Sequence, residues 1–326
     1  MLSCNDMLPV ADLPGSDRIE VWRYFVIGAS TNTHFSRRKA MKVGIDSYCY
    51  HRFFGEVYPD QKPPAKNMTM EDFLRRAHEL GVDGVSLESC FFPSYDLGWF
   101  KELKAQLDQY QFDRVYAWGH PDGLERGQNW TAYNEMITMI PYAKAIGADV
   151  MRVVGSSLMF RHEPHGPQIT ALVKMFKEAV KVAADHDIKL AVENHIDFTS
   201  DEILQLLGEI DSPYFGLNFD TGNFLRLLDD PIAGMEKLAP YVLATHVKDL
   251  MPDRNARPTD WFFFAGVPVG KGLIDNEALA KLLEKAGFNG FLAVEIDHPH
   301  TDWMEREDEA VAISVKELKR IASSLA

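Results

Sequence analysis

From Met41 to the end, the chain switches repeatedly between two patterns. Short, almost unbroken apolar runs alternate with longer stretches in which apolar residues recur every three or four positions. The short runs suit strands buried on both faces, and the longer ones suit amphipathic helices laid against them. Repetition of the pair predicts βα units winding a parallel sheet. Strands are expected over residues 43–48, 84–88, 114–118, 150–154, 189–193, 214–219, 242–247 and 291–296. Helix ends are marked between them. Thr69 ahead of Met70-Glu71-Asp72 reads as a capping box and Gly81 as its stop, giving a helix over 71–80. A helix over 129–146 stops at Gly147, one opened by Thr199 or Ser200 runs towards Gly208, and one over 281–286 stops at Gly287. Eight units without a Gly-, Ser- or Pro-rich divider predict a single α/β domain, a (β/α)8 TIM barrel over residues 41–326. An open doubly wound sheet is the competing fold, but no GxGxxG follows the first strand.

Composition narrows the partners. The 326 residues carry 34 Lys+Arg against 48 Asp+Glu, a formal charge of −14. An acidic surface without a basic patch disfavours nucleic acid and anionic membranes, leaving a small molecule or another protein as partner. Cys4, Cys49 and Cys90 lack CxxC spacing, which argues against a disulfide framework or a cysteine zinc site and fits a reducing, cytoplasmic setting. Residues 1–40 resemble neither a signal peptide nor a membrane span and are expected to form an N-terminal extension outside the barrel. Met41, opening the first strand, would then be the natural start.

A barrel of this kind carries its chemistry at the carboxyl ends of its strands. Those ends are strongly polar: Tyr48 and His51, Glu88, Trp118 and His120, Arg152 within the fourth strand, Glu193-Asn194-His195, Asn218-Phe219-Asp220, His246-Val247-Lys248-Asp249, and Glu295-Ile296-Asp297. Glu193, Asp220, His246 and Glu295 occupy corresponding positions on four successive strands. Taken singly, each would read as a solvated strand end or an ion-pair partner. Three carboxylates and an imidazole converging on one mouth would repel unless a cation sat among them, and this donor set suits Mn²⁺, Mg²⁺, Co²⁺ or Fe²⁺.

The series Glu193, Asp220, His246, Glu295, with Glu-Asn-His at the fifth strand and His-Val-Lys-Asp at the seventh, resembles the xylose-isomerase-like barrel superfamily. That group includes sugar isomerases and epimerases, inosose dehydratases and endonuclease IV. The run Val267-Pro-Val-Gly-Lys-Gly-Leu-Ile-Asp275 also resembles a glycine-rich segment common there. The resemblance implies one divalent metal, usually manganese or magnesium, held by those four residues against two oxygens of a hydroxy-carbonyl substrate. The endonuclease branch fits poorly: its extra histidine three residues after the strand-six aspartate is Asn223 here.

His195 lies two residues beyond Glu193, where an imidazole with an ordinary pKa of ~6.5 can take and return a proton near neutrality. A hydrogen bond to a metal ligand is its other reading. Lys248 shares a strand face with His246 and could meet an oxyanion or simply pair with a carboxylate. Glu88, His120 and Arg152 are candidates for substrate binding, with Arg152 equally able to pair with a ligand carboxylate. Aromatic loops follow the first strand (His51 to Pro59) and the seventh (Trp261-Phe-Phe-Phe264), implying a lid, a ligand pocket or a subunit interface. His162 and His165 are expected in a solvated loop.

Glu193-Asn-His195 and Gly44-Ile-Asp-Ser-Tyr48 resemble the catalytic α subunit of bacterial C-glycoside deglycosidases. That likeness implies a lyase in which the histidine deprotonates a 3-oxo-glucosyl unit, an aromatic aglycone leaves, and a small β subunit partners the barrel. An isomerase or epimerase using the strand-five and strand-eight glutamates as its acid–base pair is the alternative. A non-catalytic sugar-binding module is a third.

Overall fold

The computed structural model describes residues 41–120 and 122–325; the extension expected over 1–40 lies outside the described residues. Among the described residues there are ten strands, β1 (Lys42–Asp46), β2 (Gly84–Glu88), β3 (Asp113–Ala117), β4 (Val150–Val154), β5 (Lys189–Glu193), β6 (Phe215–Asp220), β7 (Val242–His246), β8 (Asp249–Pro252), β9 (Phe264–Val267) and β10 (Phe291–Val294). They alternate with α1 (Met70–Leu80), α2 (Leu97–Gln109), α3 (Trp130–Ala145), α4 (His165–Asp185), α5 (Ser200–Ile210), α6 (Thr221–Arg226), α7 (Pro231–Leu238), α8 (Asn276–Ala286) and α9 (Glu307–Ser324).

The strands pair in parallel in the order β10-β1-β2-β3-β4-β5-β6-β7. Closure comes just past β7, where the Val247 N–H donates to the Ala293 carbonyl at 2.6 Å and the Val247 carbonyl accepts from the Glu295 N–H at 3.1 Å. The fold is therefore the expected eight-stranded barrel. Leu, Val, Ile and Phe side chains on the outer strand faces bury against the helices, as the unbroken apolar runs require.

Local signals account for most helix ends. Thr69 and Asp72 form the reciprocal capping box, and Gly81 closes α1 in a left-handed conformation. Three expectations need correction. Helix α5 passes through Gly208 and ends at Asp211, because its apolar face continues to the buried Ile210. Helix α8 starts at Asn276, not residue 281, because the Asp275 side chain caps the Ala278 N–H. His165 does not sit in a solvated loop: it opens α4, with one ring nitrogen 2.8 Å from Glu202 Oε1 and the other 3.0 Å from the Arg161 carbonyl. The long stretch after β7 also holds an antiparallel hairpin, β8 with β9, so Phe264 of the aromatic run is a strand residue. Cys49 is buried, Cys90 is exposed and both are free thiols. No helix among the described residues is long and apolar enough to cross a membrane.

Candidate metal centre and substrate cavity

Side chains alternate along a strand, so the last inward-facing residue of each strand meets the others at the carboxyl mouth. Glu193, Asp220 and His246 end β5, β6 and β7, and Glu295 directly follows β10. Asp220 and His246 are register partners across β6 and β7, while Glu193 lies opposite Asn218. The stagger of the barrel brings them to one level: one ligand atom from each of the four lies within 4.8 Å of all the others. All four side chains are buried. Glu193 Oε2, Asp220 Oδ2, His246 Nδ1 and Glu295 Oε2 make no hydrogen bond of acceptable geometry. Three buried carboxylates and a buried imidazole, each offering one atom to a common point, form a donor set that fits a divalent cation.

The surroundings hold each carboxylate in place. Arg152 lies between Glu88 and Glu193, with Nη2 2.7 Å from Glu88 Oε1 and Nε 2.7 Å from Glu193 Oε2. Lys248 Nζ reaches Asp220 at 2.6 Å, Asp297 at 2.9 Å and Glu295 at 3.0 Å. Arg226 forms a fork with Asp297, and its guanidinium lies 5.0 Å from the Trp261 ring centre. Asn223 donates to Glu193 Oε1 at 3.3 Å and to the Asn194 carbonyl at 3.0 Å. Asp46 stands behind His246, its Oδ2 3.3 Å from Nε2. This is the arrangement that orients an imidazole so that Nδ1 faces the other ligands.

Six carboxylates, Asp46, Glu88, Glu193, Asp220, Glu295 and Asp297, thus share three permanent cations, Arg152, Lys248 and Arg226. The deficit shifts the proton affinities of the cluster. Burial lowers the affinity of His246 for a proton, yet Glu295 and Glu193 pull it well above the ordinary imidazole range. Burial raises Glu193 too, but Arg152 and then His246 carry it well below the usual carboxylate range. Burial lifts Asp220 to about 7 against the opposing pull of Lys248. A site that draws a proton onto its histidine this strongly is short of positive charge, the condition a divalent ion relieves.

A cavity of about 570 Å³ opens above the cluster. Glu88, His120, Arg152, Glu193, His195, Lys248 and Glu295 all line it, and Asp220 and His246 lie buried beside Glu193 and Glu295 at the same mouth, so the structure gathers every candidate residue there. The His195 ring is enclosed, with Nδ1 unpartnered. Burial holds its pKa below the ordinary value despite Glu193, so the ring is the free base at neutral pH. His120 stacks on Trp118 at 5.2 Å. The opposite wall is aromatic. Tyr48 donates to Glu56 at 2.8 Å and lies 2.7 Å from the Tyr58 hydroxyl, and Tyr58 meets Trp261 edge-on at 5.9 Å. Phe262 stacks on His298 at 4.1 Å, so the aromatic run is used partly as cavity wall and partly as packing.

Asp46, Asn223, Arg226 and Asp297 are not among the site residues expected from the sequence. Asp46, Asn223 and Asp297 fall within stretches that drew notice there without being given a role; Arg226 sits on α6, and nothing in the sequence pairs it with Asp297.

An eight-stranded parallel barrel with a candidate metal centre at its carboxyl mouth defines the class of protein. The model of the xylose isomerase-like TIM barrel matches residues 74–321, and the chain belongs to that family. It is 27% identical over 158 residues to the 3-oxo-isoapionate decarboxylase of Pectobacterium atrosepticum, covering 48% of this chain and 54% of that one. It is 25% identical over 206 residues to the L-ribulose-5-phosphate 3-epimerase UlaE of Shigella sonnei, covering 62% and 66%. The matches thus span about half to two thirds of these relatives' own lengths. Among solved structures, a xylose isomerase domain protein from Planctomyces limnophilus superposes with a TM-score of 0.68 at 20% identity, covering 88% of this chain and 99% of that one. The IolI protein, solved with a bound zinc atom, superposes at 0.66 and 16% identity, covering 88% and 99%.

Proposed function

We propose that the protein is a divalent-metal-dependent lyase that removes the proton beside the ketone of a 3-oxo C-glycoside and expels an aromatic aglycone. The observation that carries this is His195, its Nδ1 without a hydrogen-bond partner, lining the same cavity as Glu193 and Glu295 of the four converging ligand residues. Glu193, Asp220, His246 and Glu295 would hold the ion, manganese being the first candidate; the zinc of the IolI structure keeps other divalent ions open. When bound, such an ion supplies Lewis acidity that stabilises negative charge on a neighbouring carbonyl oxygen. His195 takes the proton from the carbon next to that carbonyl. The electron pair released forms a carbon–carbon double bond as the bond to the aglycone on the next carbon breaks, and the aglycone carbon takes up a proton. Lys248, beside Asp220 and Glu295, adds positive charge near the developing oxyanion, and Arg152 keeps Glu193 ionised. Tyr48, Tyr58 and Trp261 offer the apolar faces an aglycone would stack on.

Isomerisation or epimerisation of a ketose is the second reading. It is supported by Glu193 and Glu295 both lining the cavity, and by the epimerase relative. The two readings are separated by incubating metal-loaded protein, with and without a candidate small β subunit, with 3-oxo C-glycosides and with ketohexoses. Aglycone release is expected; aldose or epimer formation without it sinks the lyase.

A further inference from the structure

The walls of the cavity restrict what kind of sugar can enter it. Its fixed cations are Arg152 and Lys248, and both are already engaged: Arg152 with two carboxylates, Lys248 with three. Glu56 and Asp122 also line the cavity and add negative charge to its wall. Glu56 is tied only to the Tyr48 hydroxyl and Asp122 to the Ser157 hydroxyl, and neither is offset by an ion pair among the described residues.

A second observation concerns the place where a barrel of this size would most readily hold a phosphate, the glycine-rich run before α8. The backbone N–H groups of Gly270, Gly272 and Ile274 do converge there as a cradle for an anion. They converge on Asp249: Gly270 and Gly272 donate to its Oδ2 at 2.9 and 2.8 Å, and Ile274 donates to Oδ1 at 3.0 Å. Gly270 is in the left-handed region at φ +83°, and a Cβ on Gly272 would lie 2.1 Å from Asp249 Oδ1. The glycines are therefore explained by close approach to the chain's own buried carboxylate. That carboxylate fills the cradle.

Resting on the reading of this site as one for a sugar carbonyl compound, we infer that the substrate carries no phosphate. The cavity takes an uncharged sugar or glycoside, and Glu56 on its aromatic wall takes part in rejecting the phosphorylated form. A phosphate dianion entering here would meet engaged cations and unpaired carboxylates, a like-charge contact in a partly desolvated space.

Binding of matched pairs to the metal-loaded full chain tests this by calorimetry, independently of turnover. The probes are L-ribulose against L-ribulose 5-phosphate, and an aryl 3-oxo-glucoside against its 6-phosphate. The expected result is at least tenfold tighter binding of the unphosphorylated member of each pair; equal or tighter binding of the phosphate overturns the inference. Glu56→Lys should narrow that ratio severalfold, with circular dichroism confirming the fold, and an unchanged ratio in folded protein removes Glu56 from the selection. Deuterium exchange from solvent into the same probes is scored separately. Discrimination without exchange sinks the proton-abstraction reading alone, whereas exchange confined to the phosphates overturns the present inference and leaves proton abstraction standing.

Discussion

The two mouths of the barrel are built from the same strands and could hardly differ more. At the carboxyl mouth the inward residues are Asp46, Glu88, Arg152, Glu193, Asp220, His246 and Glu295, a buried charged layer in which four ligand atoms converge on one point. Towards the amino mouth, Phe291 fills the space beside β1 and β2 so closely that a Cβ on Gly44 or Gly84 would lie 2.3 or 2.6 Å from its ring. Next to it is a cavity of about 400 Å³ lined by Ser86, Asn218, Val115 and Ala244. Its polar atoms include both side-chain ends of Asn218 and the Ser86 hydroxyl, none with a protein partner. Neutral groups of that kind are satisfied by water in a cavity of this size, whereas a cluster of carboxylates needs a cation. The contrast teaches that an unpartnered polar atom points to chemistry only when its neighbours carry uncompensated charge.

The comparison breaks most sharply at His195. His195→Ala should lower turnover by ~10²–10⁴-fold while metal content, measured by atomic emission, stays at wild-type level; retained turnover would take the base role from it. Glu193→Gln and Asp220→Asn should instead lose bound metal, and unchanged metal content would overturn the ligand assignment. Arg152→Met leaves Glu88 and Glu193 buried without their shared cation, an expected cost of ~3–5 kcal/mol in urea unfolding. Stripping the ion by chelation should lower the unfolding free energy by about 2.7 kcal/mol relative to protein held at a hundredfold excess of metal over Kd. A metal-independent melting curve would count against a divalent ion at the cluster. The smallest effect is expected at the other mouth: Asn218→Leu, which removes two polar atoms without a protein partner, should be close to neutral in urea unfolding, with metal content unchanged. Loss of metal in that variant would show that the two mouths are coupled.

Much of this contrast is legible in the sequence. Short apolar runs gave the strand positions to within a residue or two, because a strand covered on both faces has no polar face to blur its limits. Their polar last residues then indicated Glu193, Asp220, His246 and Glu295, since in a parallel barrel every carboxyl end points to the same mouth. Where the reading stopped is equally physical. Helix α5 overran Gly208 because burial of Ile210 outweighed the cost of one helical glycine. His165 looked like a loop residue because its partner, Glu202, lies on another helix.

What the sequence alone determined is the periodic pattern, and with it the barrel and the identity of the residues at its charged mouth. Only the tertiary structure decided how those charges are shared. It assigned Arg152 to Glu88 and Glu193, Lys248 to Asp220, Glu295 and Asp297, and Asp249 to the glycine-rich cradle. Hydrophobic periodicity is local and survives in one dimension. Electrostatic pairing depends on distances between strands and loops far apart in the chain, and those distances exist only once the barrel has closed.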